Sequence, residues 1–257
     1  MGKVLFCECA YADLISSDLR RKIFRSLESA GVEFAAVPDL CEMVADGDKI
    51  ITDGVDKIIA CYPRTVEWLM DAAGVSCSAE ILNMREMGAD EIVERVTSGG
   101  SGNNAVSDPA EPVKGDWVPW FPVIDYSRCK SCRQCMEFCL FGVYELSDDG
   151  RVVVAHPRNC KNNCPACARI CPEVAIIFPK LKESPLNGDE IADENLEKAR
   201  VQIDVDKILG SDVYSTLHER KRKRQKRLIK QCDIEQAEAE RAACAACDVP
   251  CENAPKK

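Results

Sequence analysis

Two cysteine-rich runs in the middle of the chain carry the residues best suited to chemistry. CKSCRQCMEFC, from Cys129, leaves two, two and three residues between its cysteines, and CKNNCPACARICP, from Cys160, leaves three, two and three. Three thiolates spaced this closely can wrap one face of an iron–sulfur cubane, and a fourth one turn further on can close a neighbouring cluster. The spacing therefore predicts two clusters held by eight cysteines: Cys129, Cys132, Cys135, Cys139, Cys160, Cys164, Cys167 and Cys171.

This pattern resembles that of the bacterial two-cluster ferredoxins. The resemblance implies an α+β ferredoxin-like domain over residues 117–180 with two [4Fe–4S] clusters. It assigns the first cluster to Cys129, Cys132, Cys135 and Cys171. It assigns the second cluster to Cys139, Cys160, Cys164 and Cys167. Two departures change loop shape but not the number of ligands: Leu140 stands where the family usually has proline, and the second run opens with a three-residue gap.

A pair of structural zinc sites built from Cys-x-x-Cys knuckles is the alternative for these runs. Zinc pairs thiols two by two and does not need the three-residue gap found in both runs, so we favour iron–sulfur clusters.

Short apolar segments around the runs indicate the elements that position them. VYEL and RVVVA predict a small antiparallel ribbon between the two halves, and AIIF predicts a further strand. Four apolar residues are candidates for the shell that limits solvent access to the clusters: Ile124, Val143, Ile170 and Ile176.

The first 97 residues predict a separate α/β domain with a mostly parallel sheet, because strand and helix signals alternate. KVLF, VEFAAV and KIIA read as strands, and SSDLRRKIFRSLESAG and TVEWLMDAAG read as helices. Cysteines follow each strand, and the exits of parallel strands share the sheet edge where open α/β sheets bind ligands. The cysteines expected at that edge are Cys7, Cys9, Cys41 and Cys61.

FCECAYADL, Cys41, IIACYPRT and AGVSCSAEILNMREMG occur in the order seen near the N-terminus of the flavoprotein subunit of heterodisulfide reductase, and the match covers roughly residues 1–90. The resemblance implies an additional cluster, with Cys7, Cys9, Cys41 and Cys61 as possible ligands and Cys77 as a substitute. The family commonly has a cysteine just after its Arg-Glu pair, where Met87 and Gly88 stand here. No G-x-G-x-x-G motif follows a strand, so we expect no flavin or nicotinamide site in this chain.

Polar segments separate and follow these domains. Residues 98–116, rich in Gly, Ser, Asn and Pro, predict a linker, and residues 181–257 predict a charged helical extension. The basic run His218 to Arg227 is either a solvated helix face or a docking site for an acidic partner protein. A possible fourth cluster, with incidental thiols or a zinc knuckle as the alternatives, involves Cys232, Cys244, Cys247 and Cys251.

Composition narrows the class of protein. The chain has 257 residues, 17 cysteines and a formal net charge of −9, and its sequence predicts neither a signal peptide nor an apolar run long enough to span a membrane. We therefore expect a cytoplasmic metal protein rather than a secreted disulfide scaffold, with no affinity for nucleic acid. The only histidines are His156 and His218, and no constellation predicts catalytic residues.

These observations together predict an electron-transfer subunit of a multi-subunit anaerobic oxidoreductase. By resemblance, it relays single electrons between a catalytic subunit, which contains flavin or metal, and a soluble carrier such as ferredoxin. The complex would have heterodisulfide-reductase-like or benzoyl-CoA-reductase-like parts. Two alternatives stay open. The chain could be a catalytic subunit that acts on a disulfide or an acyl-CoA at the N-terminal cysteines, or an iron–sulfur-dependent regulatory module.

Overall fold

The computed structural model describes residues 3–11, 14–48, 55–76, 78–97 and 112–201, the backbone of residues 202–209, and Ser215, Glu219 and Arg222. Met1–Ile208 form one compact unit and Leu209–Lys257 form a second. In the second unit the residues at 215, 219 and 222 are helical. Most of the predicted linker and of the basic run, and Cys77 and the four C-terminal cysteines, lie outside the described residues.

A four-stranded parallel sheet organises the N-terminal part and confirms the mostly parallel α/β prediction. In the order β2-β1-β3-β4, its strands are β1 (Lys3–Cys7), β2 (Phe34–Val37), β3 (Val55–Ala60) and β4 (Glu80–Asn83). Every neighbouring pair runs parallel. The first three strands overlap the predicted segments, whereas β4, from the short segment EILN, is not predicted as a strand.

Four helices connect and follow these strands: α1 (Ser17–Ser29), α2 (Leu40–Asp46), α3 (Pro63–Ala72) and α4 (Ala89–Thr97). Ser16 caps α1 by accepting a hydrogen bond from the Leu19 amide, and the helix buries Ile23 and Leu27. Helix α1 packs against α4, and α2 packs against α3. Right-handed crossovers to strands on opposite sides of β1 reverse the winding between β1 and β3, which is the switch point where such sheets bind ligands.

The cysteine-rich part is built from short elements. Strand β5 (Val123–Ile124) pairs antiparallel with β8 (Ile176–Ile177). Strands β6 (Tyr144–Leu146) and β7 (Val152–Val154) form the predicted antiparallel ribbon. Helix α5 (Gln134–Phe138) and helix α6 (Ala166–Arg169) each carry a cysteine, and α7 (Glu194–Leu209) begins the charged region that follows. The four residues predicted to form the apolar shell, Ile124, Val143, Ile170 and Ile176, are all at most 4% exposed.

The first turn of α3 joins the sheet to the cysteine-rich part within the same compact unit. Arg64 Nε donates to Asp125 Oδ2 at 2.7 Å, and its Nη2 donates to the Val174 carbonyl at 2.6 Å. The next residue, Thr65, donates from its hydroxyl to the Asn187 carbonyl at 3.1 Å. An apolar cluster buries residues from both parts around this joint: Cys41, Leu69, Phe121, Val123 and Ile177. Among the helices in the described ranges, none combines the length and apolar character that a membrane crossing requires.

Candidate iron–sulfur centres

Four cysteines drawn from both central runs line one cavity. The cavity has about 380 Å³ of space between atoms, including its open mouth, and its apolar walls include Ile124, Val152 and Ile176. Its cysteines, which we call the first central set, are Cys129, Cys132, Cys135 and Cys171. Burial raises the pKa of Cys135 to about 12, and the neighbouring Cys171, Cys132 and Cys129 thiolates add to that rise. The four thiols are therefore close together, as the ferredoxin resemblance implies.

Backbone amides of the loops point at sulfur atoms of the first central set. The Ser131 amide donates to Cys129 Sγ at 3.5 Å, and the Ala175 amide donates to Cys171 Sγ at 3.4 Å. Ser131 and Arg133 adopt left-handed backbone conformations, with φ of 49° and 67°. Such conformations are costly for residues with a side chain and curl the loop so that its amides face inwards. Amide donors of this kind stabilise the negative charge of a thiolate-bound cluster.

A second group of cysteines gathers around the second run. We call it the second central set, and it comprises Cys139, Cys160, Cys164 and Cys167. Burial raises the pKa of Cys160 to about 12, with further contributions from Cys139 and Cys164. Burial also raises the pKa of Cys167, and the charges of Cys135, Cys160 and Cys139 act in the same direction. Cys139, from the first run, thus lies beside the second, and the exchange with Cys171 matches the crossed arrangement that the resemblance implies.

Tyr144 contacts the second central set from the β6–β7 ribbon. Its hydroxyl donates to Cys167 Sγ at 3.1 Å, and its side chain is buried. Burial raises the pKa of Tyr144, and the nearby thiolates of Cys167, Cys135 and Cys139 add to the rise. The tyrosine is therefore a neutral donor at neutral pH, placed close to cysteines of both sets.

Four cysteines also converge at the switch point of the parallel sheet, and we call them the N-terminal set: Cys7, Cys9, Cys41 and Cys61. Cys7 ends β1, Cys61 follows β3, and Cys41 lies in the first turn of α2. Cys9 has a left-handed backbone with φ of 49°. Burial raises the pKa of Cys61 to about 12, with Cys9 contributing, and Cys61 and Cys9 contribute likewise to the raised pKa values of Cys7 and Cys41. The sequence-predicted edge cysteines are thus neighbours in space, whereas Cys77 lies outside the described residues.

Charged side chains surround the N-terminal set. Lys180 Nζ lies 2.6 Å from Asp39 Oδ2, and the two side chains are 4% and 1% exposed. Asp39 also caps α2, because its Oδ1 accepts from the Cys41 and Glu42 amides. The guanidinium of Arg85 lies over the Tyr62 ring at 4.6 Å and donates to the Leu181 carbonyl. Sequence reasoning missed Lys180, since nothing in its local sequence connects it to a cysteine-lined site.

All three cysteine sets have the chemistry that an iron–sulfur cluster needs. Each offers four thiols in a mostly buried setting, and a [4Fe–4S] cluster takes one thiolate per iron rather than four on one ion. Because burial keeps these thiols protonated without metal, cluster assembly must displace their protons. Within the described ranges, no three histidine, cysteine, aspartate or glutamate side chains form a ready-made site for a metal ion.

Other candidate residues contribute less. His156 is about half exposed and its Nε2 lies 2.9 Å from Glu145 Oε1, a surface contact of the ribbon. His218 and the possible ligands of a fourth cluster, Cys232, Cys244, Cys247 and Cys251, lie outside the described residues.

Comparisons with known proteins give the class of this chain. No protein-family profile matches it. An uncharacterized ferredoxin of Methanocaldococcus jannaschii is 50% identical over 66 residues, which are 25% of this chain and 44% of that protein. Ferredoxin-3 of a Nostoc strain is 36% identical over 75 residues, which are 22% of this chain and 76% of that protein. The chain thus spans less than half of the first relative and about three quarters of the second.

These similarities and the cysteine sets define an iron–sulfur protein with a role in electron transfer. Within that class, the chain belongs to the ferredoxin family.

Proposed function

We propose that the chain is a three-centre electron relay in a multi-subunit anaerobic oxidoreductase. Two [4Fe–4S] clusters occupy the first and second central sets, and a third occupies the N-terminal set. The relay passes single electrons between a catalytic subunit containing flavin or metal and a soluble carrier such as a ferredoxin. The observation that carries this proposal is the convergence of Cys7, Cys9, Cys41 and Cys61 at the switch point, in the same compact unit as the two central sets.

The central clusters are supported by the crossed grouping of the cysteines and by the surrounding amides. Cys171 contributes to the raised pKa of Cys135, and Cys139 contributes to that of Cys160. This exchange between runs is what a two-cluster ferredoxin needs, since each run supplies one ligand to the other cluster. The clusters change oxidation state by one electron, while the chain's residues hold them, exclude water and donate hydrogen bonds to sulfur.

The N-terminal cluster is the feature that extends this chain beyond a plain ferredoxin. Open α/β sheets bind their ligands at the switch point, and the chain fills that point with four thiols. The setting in a larger complex is supported by the likeness of FCECAYADL, IIACYPRT and NMRE to the flavoprotein subunit of heterodisulfide reductase. A relay needs partners that supply catalysis, because no candidate catalytic residues and no dinucleotide-binding motif occur in the sequence.

Burial of the N-terminal set favours electron transfer over reaction with a bulky substrate. Cys7, Cys9 and Cys41 are between 6% and 8% exposed. A disulfide or acyl-CoA substrate would have to reach an iron or sulfur atom directly, whereas electrons can tunnel through packed protein. Burial therefore supports the relay over the alternative of a catalytic subunit.

The test is the iron content of two variants after anaerobic reconstitution. Cys61→Ala removes one thiol of the N-terminal set, so we expect iron to fall from about twelve to about eight atoms per chain. The central clusters should keep their EPR signals. Cys77→Ala should retain about twelve, because four other cysteines already converge at the site. A Cys61→Ala protein that keeps its full iron content would show that Cys61 is not a ligand.

A further inference from the structure

Lys180 brings a buried positive charge from the cysteine-rich part to the N-terminal set. We propose that Lys180 makes the N-terminal cluster the electron acceptor of the relay, by holding its ammonium group beside that cluster and raising its reduction potential above those of the two central clusters. This inference rests on the proposed function, since it requires a cluster at the N-terminal set. It assigns a direction to internal electron flow and a role to a residue outside the cysteine motifs.

The position of Lys180 is fixed by its surroundings. It lies three residues beyond the end of β8, yet its nearest anion is Asp39, 141 positions earlier in the sequence, at the start of α2. Its Nζ also lies 5.9 Å from the centroid of the Tyr11 ring. The side chain is only 4% exposed, so water screens its charge little. A buried ammonium held on two sides acts as a permanent local charge.

This ammonium lies next to the cysteines as well as to Asp39. Burial alone would lower the pKa of Lys180, but the negative charges of Cys41, Asp39 and Cys9 outweigh that effect and raise it. In return, Lys180 is the strongest charge that opposes the raised pKa values of Cys9 and Cys41. The cation is therefore close enough to act on electrons held at this site.

Positive charges outnumber negative ones around the N-terminal set. Arg85 acts on Cys9 and Cys61 in the same direction as Lys180, and Arg20 also acts on Cys9. Asp39 is the opposing anion. The charges that act most strongly on Cys135, Cys160 and Cys167, in the central sets, are those of other cysteines. The two environments differ in sign.

The sign of the charge decides which cluster accepts the electron. One electron leaves a reduced central cluster and enters the oxidised N-terminal cluster, with no bond or proton exchanged. The accepting cluster becomes more negative by one unit, so a nearby cation stabilises its reduced form more than its oxidised form. The first electron to enter the central clusters, from a low-potential carrier or from dithionite in an experiment, should therefore collect at the N-terminal set.

The opposing interpretation is that the Lys180–Asp39 pair only fastens the two parts together. Substitutions of opposite charge effect separate the two ideas. Lys180→Met removes the cation while keeping most of the side-chain length. Asp39→Asn removes the anion but keeps an Oδ1 acceptor for the amides of α2. A merely structural pair would be weakened by both changes, whereas an electrostatic role predicts shifts of opposite sign in the potential.

The experiment is an anaerobic redox titration of the full chain, monitored by EPR, with iron measured on each sample. In the native chain, the N-terminal cluster should be reduced before the central clusters. At the potential that half-reduces it, Lys180→Met should lower its reduced-to-oxidised ratio by about tenfold or more. Asp39→Asn should raise the ratio, and the double variant should fall near the native value. Lys130→Met, at a lysine that pairs with Glu173 near the first central set, is the control and should leave the ratio unchanged.

Each contrary result has a distinct meaning. Central clusters that are reduced first, or shifts of the same sign in both single variants, would overturn the role of Lys180 and leave the relay intact. A native chain with only about eight irons would remove the third centre on which both proposals rest. If Lys180→Met fails to hold its third cluster, Lys180→Arg and Asp39→Asn decide. The arginine variant should be close to native, and an unchanged Asp39→Asn potential would overturn the inference.

Discussion

Tyr144 shows how a single buried side chain can distinguish two clusters of the same type. Its hydroxyl donates to Cys167 Sγ, and the Cys167 thiol belongs to the second central set alone. A hydrogen bond to a ligand sulfur offsets negative charge, and the reduced cluster carries more of that charge, so the donor raises the reduction potential. The two central clusters should therefore differ in potential although their cysteine spacing is similar.

Removing this donor gives a prediction at the residue scale. Tyr144→Phe keeps the buried ring and loses the hydroxyl, so the potential of one central cluster should fall by about 20–60 mV, as one hydrogen bond is worth. An EPR-monitored titration measures the shift. Tyr126→Phe is the matched control, because the Tyr126 hydroxyl donates to the Val152 carbonyl and not to sulfur. Equal shifts in the two variants would show that the sulfur contact has no special effect.

Individual residues also show what sequence reasoning can reach. The cysteines of both central runs are predictable, because cluster ligation imposes a spacing that the local sequence records. The cysteines at the sheet edge are predictable from the order of the strands. Lys180 is not, because its partners Asp39 and Cys41 are distant in sequence and a lone lysine carries no local signal. Long-range electrostatic contacts of this kind are seen only once the fold is known.

At the scale of elements, the first turn of α3 connects the two parts of the compact unit. Cys61 lies just before this helix and Arg64 and Thr65 lie in it, so one short segment serves both the N-terminal set and the joint. The loop after β8 packs on Thr65 through Gly188, whose φ is 94°. A Cβ at Gly188 would lie 1.7 Å from Thr65 Oγ1, so only glycine fits there.

Stability should depend on this close approach. Gly188→Ala adds both a clash and backbone strain, which together cost about 3 kcal/mol, and should lower the apparent Tm by about 6–12 °C. Gly150→Ala is the control: Gly150 has φ of 80° but no atom within 4 Å of an added Cβ. It should lose only about 2–4 °C from strain. Thermal unfolding followed by circular dichroism measures both variants, and equal losses would contradict the close packing of Gly188 on α3.

The elements themselves were predictable to different degrees. Helix α1 has a capping serine and a clear apolar face, and β1, β2 and β3 have apolar runs, so the local sequence indicates them. Strand β4 has only four residues, and its pairing with β3 supplies what its sequence lacks. Helix α2 is also short, and its N-cap Asp39 becomes recognisable only beside the amides that it accepts from. Tertiary contacts decide such short segments.

At the scale of the whole molecule, the sheet and the cysteine-rich part share one compact unit of residues 1–208. The joint at α3, the Lys180–Asp39 pair and a common apolar cluster connect them. A rigid connection suits a relay, because electron tunnelling depends steeply on the distance between centres. The sequence predicts the two parts but not this joint, whose residues belong to separate segments and meet only in the folded chain.

Iron and acid-labile sulfide, quantified anaerobically in the full chain and combined with EPR of the dithionite-reduced protein, test the central claim most directly. Three [4Fe–4S] centres predict about twelve iron and about twelve sulfide per chain, with the EPR signals of reduced four-iron clusters. About sixteen would add a cluster at the C-terminal cysteines, and about eight would remove the N-terminal centre. A protein that holds only zinc and stays EPR-silent after anaerobic reconstitution would contradict the whole account.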